Sequence, residues 1–313
     1  MYPRRSGAGA MQTQLTVERT EYRGWTNCWK VANGEIELIV TGDVGPRVIW
    51  LGFAGGQNLF KNYPEQMGRS GEADWTIRGG ARIWIAPEDR MATYAPDNRP
   101  VRIDVEGGAL IATAPVEETV GVQKQMIVRM AASTARVEMV YRIRNAGLLP
   151  TEFAAWAPSV MAPGGVGITG FPPRGSHADV LAPTNPLVMW AYTDLSDKRW
   201  SFTKKYLILQ QDPAADAPQK LGHFNPKTWG AYLLNGELFI KRYDAAPGKP
   251  YPDYGCSFQI FTNKDMLELE TMGPLSRVAP GEWVEHVEHW SLHRDVAAAW
   301  TDEELDRTIL PLL

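Results

Sequence analysis

The chain has 313 residues, 44% hydrophobic and 22% charged, which is enough apolar material to bury a large core and ordinary for a water-soluble protein. A formal charge of −4 and a pI near 5.8 give it no basic field, which argues against nucleic acid or an anionic membrane as a partner. No apolar run reaches the roughly 18 residues of a membrane helix, and Cys28 and Cys256 are too few and too far apart for a disulfide framework or a metal knuckle. Residues 1–14, MYPRRSGAGAMQTQ, carry two arginines with no apolar stretch behind them and do not read as a secretory signal. A flexible leader is expected there, with Met11 as an alternative start, and residues 15–313 are expected to form one domain in the cytoplasm, as a monomer or homodimer.

From Thr16 to about Phe60 the pattern is short β-rich runs separated by turns. Trp29 to Ala32, then Asn33-Gly34, then the alternating run Glu35 to Val40 predict a hairpin with a type I′ turn. Gly45-Pro46-Arg47-Val48-Ile49-Trp50-Leu51 reads as a further strand, with Arg47 as a solvated edge residue. Between Lys61 and Tyr94 the text turns glycine-rich, and GGARIWIAPEDR mixes charge and aromatics beyond the needs of a core strand. Loops set on a rigid sheet are where binding groups concentrate. Four alternating runs follow between Val101 and Arg144, each closed by a turn signal, a spacing that predicts a sandwich or barrel rather than βαβ units. In the last of them Val137, Met139, Tyr141 and Ile143 face one way and Glu138, Arg142 and Arg144 the other.

After Asn145-Ala146-Gly147 a strand is expected through Phe153 to Ser159. The middle, Phe171 to Pro250, holds long connections rich in proline and aspartate, and a second Asn-Gly hairpin joins Thr228–Leu233 to Glu237–Tyr243 across Asn235-Gly236. A loop with Tyr251, Asp253 and Tyr254 leads to the stretch that reads most clearly, DMLELETMGPLSRVAPGEWVEHVEHWSLH from Asp265 to His293. Leu267 and Leu269 alternate with Glu268 and Glu270, so at period two the leucines share one sheet face and the carboxylates the other, about 6.6 Å apart along the strand. Gly273-Pro274 stops that strand, Pro280-Gly281 turns the chain, and Trp283 to Leu292 follows as a strand, predicting a hairpin or near-hairpin. Trp300, Thr301, Glu304 and Leu305 have the form of a capping box with a hydrophobic staple, opening a short C-terminal helix that Pro311 ends.

LELET, a short spacer and VAPGEWVEHVEHWSL resemble the C-terminal signature of the aldose 1-epimerase (galactose mutarotase-like) superfamily, and Gly45–Leu51 resembles its early "GARI-x-x-L" strand. The resemblance implies an all-β fold, a large antiparallel β-sandwich, in which the catalytic glutamate falls on Glu270 and an arginine that contacts the sugar falls on Arg82 or Arg78. The competing account of either arginine is a salt bridge to Glu88 or Asp89. In the family the strand after the "N-x-G/T" turn carries a histidine general acid; the matching strand here has none, and no histidine occurs before His177. His177, His223 or an arginine-assisted water is therefore expected to supply the acid.

Other chemistries fit poorly. His286 and His289 face opposite sides of a strand, and His289 and His293 stand about 13 Å apart, too far to share a zinc ion. No phosphate loop, nucleophile elbow or dinucleotide fingerprint occurs, so no metal or cofactor is expected. A sugar presents C–H faces that stack on indoles and hydroxyls that pair with carboxylate and arginine. Trp75, Trp84, Trp156, Trp200 and Trp229, which lie among polar, glycine-rich or turn-forming neighbours, are the candidate stacking rings, and Glu268 and Asp253 are candidate polar contacts. The sequence thus points to a small-molecule sugar or oligosaccharide as ligand. It leaves three readings open: an epimerase with Glu270 as base, a non-catalytic sugar-binding module, and a sugar lyase or hydrolase using the Glu268/Glu270 pair.

Overall fold

A computed structural model describes residues 15–184 and 186–313; the leader expected at residues 1–14 lies outside them. Two antiparallel sheets stack face to face. Among the described residues the first has twelve strands, running from Thr16–Tyr22 through Trp25–Ala32, Ile36–Thr41, Arg47–Phe53 and Gly80–Arg82 to Thr151–Met161, Leu267–Met272, Phe258–Thr262, Gln219–His223 and Leu187–Met189. Trp84–Ala86 and Ser276–Val278 complete it on the flanks of Thr151–Met161. The second has ten, from Trp200–Phe202 through Tyr206–Gln210, Val166–Gly170, Trp229–Leu234, Glu237–Arg242 and Trp283–His293 to the meander Arg136–Asn145, Val122–Met130, Ala109–Thr113 and Arg102–Glu106. This is the large antiparallel sandwich that the alternation predicts.

Period-two patterning decides which side chains fill the space between the sheets. Leu38, Leu51, Leu267 and Leu269 of the first sheet meet Met126, Tyr141, Phe239 and Trp290 of the second in one buried cluster. Phe60, Phe239 and Trp290 lie edge-on to one another with centroids 5.4–5.9 Å apart, a favoured aromatic geometry. An ion pair also lies in this layer, Lys241 Nζ standing 2.8 Å from Glu288 Oε1 with both side chains fully buried. The C-terminal helix, Asp302–Thr308, begins with Thr301 Oγ1 accepting from the Glu304 N–H, as its cap residues predict. Leu305 and Ile309 seat it on the outer face of the second sheet.

Three local expectations change. The acidic strand Leu267–Met272 and the strand Trp283–His293 are not a hairpin: they lie in different sheets, and the chain crosses between them through Ser276–Val278, which pairs with Thr151–Phe153. At Asn33-Gly34 only the glycine takes positive φ, so the type I′ turn is absent, and the Asn33 Oδ1 closes a wider loop by accepting from the Glu35 and Ile36 N–H groups. At Asn235-Gly236 both residues take positive φ and the type I′ hairpin forms. Arg47 is no edge residue: it is fully buried, with Nη2 2.8 Å from Asp97 Oδ2.

Candidate functional site

Several of the expected site residues gather on the outer face of the first sheet. In the acidic strand the two leucines point into the core, which turns Glu268 and Glu270 outward. Register then fixes their neighbours. Glu270 is flanked by Pro158 on one side and Gln259 on the other, and Gln259 by Gly222; one row away Glu268 stands between Val160 and Phe261, and Phe261 beside Lys220. Arg82 reaches the same face from the short strand that pairs at Val160 and Ser159. Gly79 and Gly80 make that approach possible. Both have positive φ, and a Cβ on Gly80 would fall 2.2 Å from the Val48 carbonyl oxygen.

The outward face is nonetheless covered. Glu270 is 1% exposed, Arg82 1%, Lys220 5% and Glu268 7%. Each carboxylate is matched with a cation: Arg82 Nη2 lies 2.9 Å from Glu268 Oε1, and Lys220 Nζ 3.0 Å from Glu270 Oε2. Glu270 Oε2 also accepts from the Trp156 indole N–H at 2.9 Å. Indoles wall both cations. The Arg82 guanidinium sits 3.9 Å above the Trp84 ring and 5.4 Å from that of Trp75, and the Lys220 ammonium 5.0 Å from Trp156 and 4.8 Å from Trp190. Trp84 packs against Trp156, Trp75 and Tyr94 with centroids 4.9–5.1 Å away.

Several polar atoms here are buried without a partner in the protein: Glu270 Oε1, Gln259 Oε1, Arg82 Nε and Nη1, and the indole nitrogens of Trp75 and Trp84. Buried polar atoms are nearly always hydrogen-bonded, so these atoms are positions for ordered water or another polar partner. Burial pushes the Glu270 carboxyl from 4.5 up to about 7; Lys220 opposes the rise and Glu268 adds to it. A carboxyl poised there can both take and give a proton at neutral pH. Burial likewise raises the Tyr94 and Tyr192 hydroxyls above their ordinary range.

The structure brings together Glu270, Glu268, Arg82, Trp84 and Trp156 of the expected site residues, and sets Asp253 at its margin, where Oδ2 accepts from Gln259 Nε2 at 2.5 Å. The others stand apart. His223 is on the core side of its strand, packed against Phe171 and Phe258 with Nε2 3.4 Å from Thr169 Oγ1, and burial lowers it to about 4. Odd and even positions of a strand face opposite ways, so the register that places Lys220 outward places His223 inward. His177 is exposed on the connection after Val166–Gly170. Arg78 pairs with Glu72 at 2.6 Å and Asp97 at 3.6 Å beside Arg47, and neither Arg78 nor Arg82 pairs with Glu88 or Asp89. Trp229 lies under the C-terminal helix, and Trp200 belongs to the core. His286 is buried while His289 and His293 point to the other side, and no cluster suited to a metal ion occurs among the described residues.

An open, indole-lined hollow over Glu270 is not what the fold provides. Two of the larger concavities lie elsewhere, one of about 510 Å³ at Arg129, Glu138, Arg242 and His289, the other of about 1030 Å³ at Glu35, Phe53, His293 and Arg307. Lys220, Gln259 and Trp190 are the site residues that sequence reading missed. Lys220 and Gln259 sit in short runs flanked by turns, and only their register against the acidic strand brings them to Glu270.

No family model matches the chain, and no curated protein matches it. Solved structures do, and they define the class: the chain has the galactose mutarotase-like fold. A galactose mutarotase related enzyme from Lactobacillus acidophilus aligns with a TM-score of 0.55 at 10% identity over 86% of this chain and 98% of its own. A galactose mutarotase-like protein from Lactobacillus casei gives 0.54 at 10% identity, over 84% and 99%. A protein from Synechocystis sp. PCC 6803 gives 0.55 at 11% identity, over 93% and 100%. At such identities the likeness is one of fold.

Proposed function

We propose that the protein is a sugar-active enzyme of the aldose 1-epimerase type, with Glu270 as the base. The observation that carries the reading is Glu270 itself: a buried carboxyl near neutrality, one oxygen held by Trp156 and Lys220 and the other without a partner, on an indole-walled sheet face. In this reaction the base removes the proton of the anomeric hydroxyl while an acid protonates the ring oxygen. The ring opens, the C1–C2 bond rotates, and the ring closes on the other face. Trp84 and Trp156 are the rings, and Arg82 and Glu268 the donor and acceptor, that a pyranose would meet on displacing part of the cover over Glu270. The fold supports the reading as an analogy and no further.

Polarimetry tests it. The wild type is expected to accelerate mutarotation of α-D-glucose or α-D-galactose, and Glu270→Gln to lose that acceleration by roughly 10²-fold or more. If the wild type adds nothing to the spontaneous rate of several aldoses, the reading fails. A second reading, a sugar-binding module without catalysis, draws support from the histidines, none of which stands beside Glu270 on the outer face among the described residues. Calorimetric binding of a sugar with no turnover would select it.

A further inference from the structure

We propose that Lys220 is the proton donor of this reaction and forms with Glu270 a single acid–base couple that takes the place of a histidine. The assignment rests on the epimerase reading and adds the group that reading lacks. Lys220 Nζ is 3.0 Å from Glu270 Oε2, and its backbone is fixed twice, by pairing with Phe261 and by the Thr193 hydroxyl that donates to its carbonyl at 2.5 Å. Trp156 and Trp190 hold the ammonium between them.

The geometry suits the chemistry. The hydroxyl oxygen O1 and the ring oxygen O5 of an aldose are bonded to the same carbon, so acid and base have to meet two atoms that are near neighbours. A donor and an acceptor already in hydrogen-bond contact span that pair, whereas groups on opposite faces of a sugar are not required. Glu270 Oε1, the oxygen with no partner, is free to receive the proton while Oε2 stays with Lys220 and Trp156. The remaining donors on this face are weaker acids than an ammonium: an indole and a guanidinium hold their protons more tightly, and burial raises Tyr94 and Tyr192 above the ordinary phenol range.

The step balances. Glu270 Oε1 takes the O1 proton, the O1 electron pair forms the carbonyl, and the C1–O5 bond breaks with its electrons going to O5, which takes a proton from Lys220 Nζ. A neutral carboxylic acid and a neutral amine result. After rotation about C1–C2 the same transfers run backwards: the C5 hydroxyl adds to the carbonyl and returns its proton to the amine while Glu270 returns a proton to O1. Nothing is consumed, and the ion pair is restored.

The test uses Lys220→Arg, which keeps the charge and the contact but holds its proton far above neutral pH, and Lys220→Met, which removes both. Mutarotation of α-D-glucose and α-D-galactose by the full chain is followed with circular dichroism as a check of folding. Lys220→Arg is expected to fold, to keep KM within a few-fold, and to lose kcat by about 10²–10⁴-fold, the usual weight of one acid–base group; Lys220→Met should lose as much. A folded Lys220→Arg with more than about a tenth of wild-type kcat overturns the assignment, and would leave the epimerase reading standing so long as Glu270→Gln is inactive. A wild type that accelerates neither sugar removes the proposed function and this assignment with it.

Discussion

Lys241 lies directly behind the site, and replacing it by methionine is the most demanding test of how the acidic strand is held. Its ammonium is fully buried between the sheets, paired with Glu288 at 2.8 Å, and it donates to the carbonyls of Ala157 at 2.8 Å and Leu269 at 3.2 Å and to Ser159 Oγ at 3.1 Å. Those carbonyls belong to the residues next to Trp156 and Glu270, so one side chain ties together the two strands that carry the site. Methionine keeps most of the stem volume and removes the charge. Glu288 would then keep the Trp290 indole N–H at 2.7 Å and the Thr271 hydroxyl, but no cation. Removing one partner of a buried pair costs about 3–5 kcal/mol, and since the two carbonyls keep their places in the ladder between these strands and lose only a second donor, Lys241→Met is expected within that range. Urea unfolding midpoints measure it. Glu288→Gln in the Lys241→Met background takes away the stranded charge and keeps an acceptor for Trp290, so the double variant should be more stable than the sum of the single losses by about 1–3 kcal/mol. A Lys241→Met protein within about 1 kcal/mol of wild type, or a strictly additive cycle, would refute the account of the buried pair.

Two further predictions concern pH and backbone. Because burial raises Glu270 from 4.5 to about 7, the folded state keeps a proton that the unfolded chain has already released between those values. The resulting stabilisation is whole below pH 4.5 and is lost as pH climbs toward 7, by about 3 kcal/mol at about 1.4 kcal/mol per pH unit. His223 and His286, lowered by burial from 6.5 to about 4, work the other way, their contribution disappearing as pH falls. The Glu270 part is therefore read as the difference in urea stability between wild type and Glu270→Gln across this window, and a flat difference would contradict it. Gly236→Ala and Gly80→Ala both force a positive φ on alanine, but a Cβ at Gly236 meets nothing closer than 4.0 Å while one at Gly80 falls on the Val48 carbonyl oxygen. Gly236→Ala should cost about 1 kcal/mol; Gly80→Ala should cost more and also displace Arg82, and equal losses in urea unfolding would refute the close approach at Gly80.

What was legible in the chain depended on how far apart the cooperating residues lie. The period-two text of Leu267 to Glu270 assigns leucines to the core and carboxylates to the opposite face, because alternation is a property of the strand alone. The Asn235-Gly236 turn and the Thr301 cap are local for the same reason. Alternation does not say whether the outward face meets water. Here it does not: the partner of Glu270 Oε2 at Trp156 is 114 positions away, that at Lys220 is 50, and Arg82 reaches Glu268 across 186. The same gap explains Arg47, whose glycine-proline setting reads as an edge until Asp97 arrives from 50 residues on. It also explains His223. Any histidine looks like a candidate acid in a one-dimensional text, yet in a strand the choice between Lys220 and His223 as the residue that meets Glu270 is made by parity, and parity is set by the register of Gln219–His223 against Phe258–Thr262. A slip of one residue would have brought the imidazole to the carboxylate and the ammonium into the core. The chemistry proposed for this face, a lysine where a histidine was expected, is thus a consequence of strand register, which no pattern within those five residues encodes.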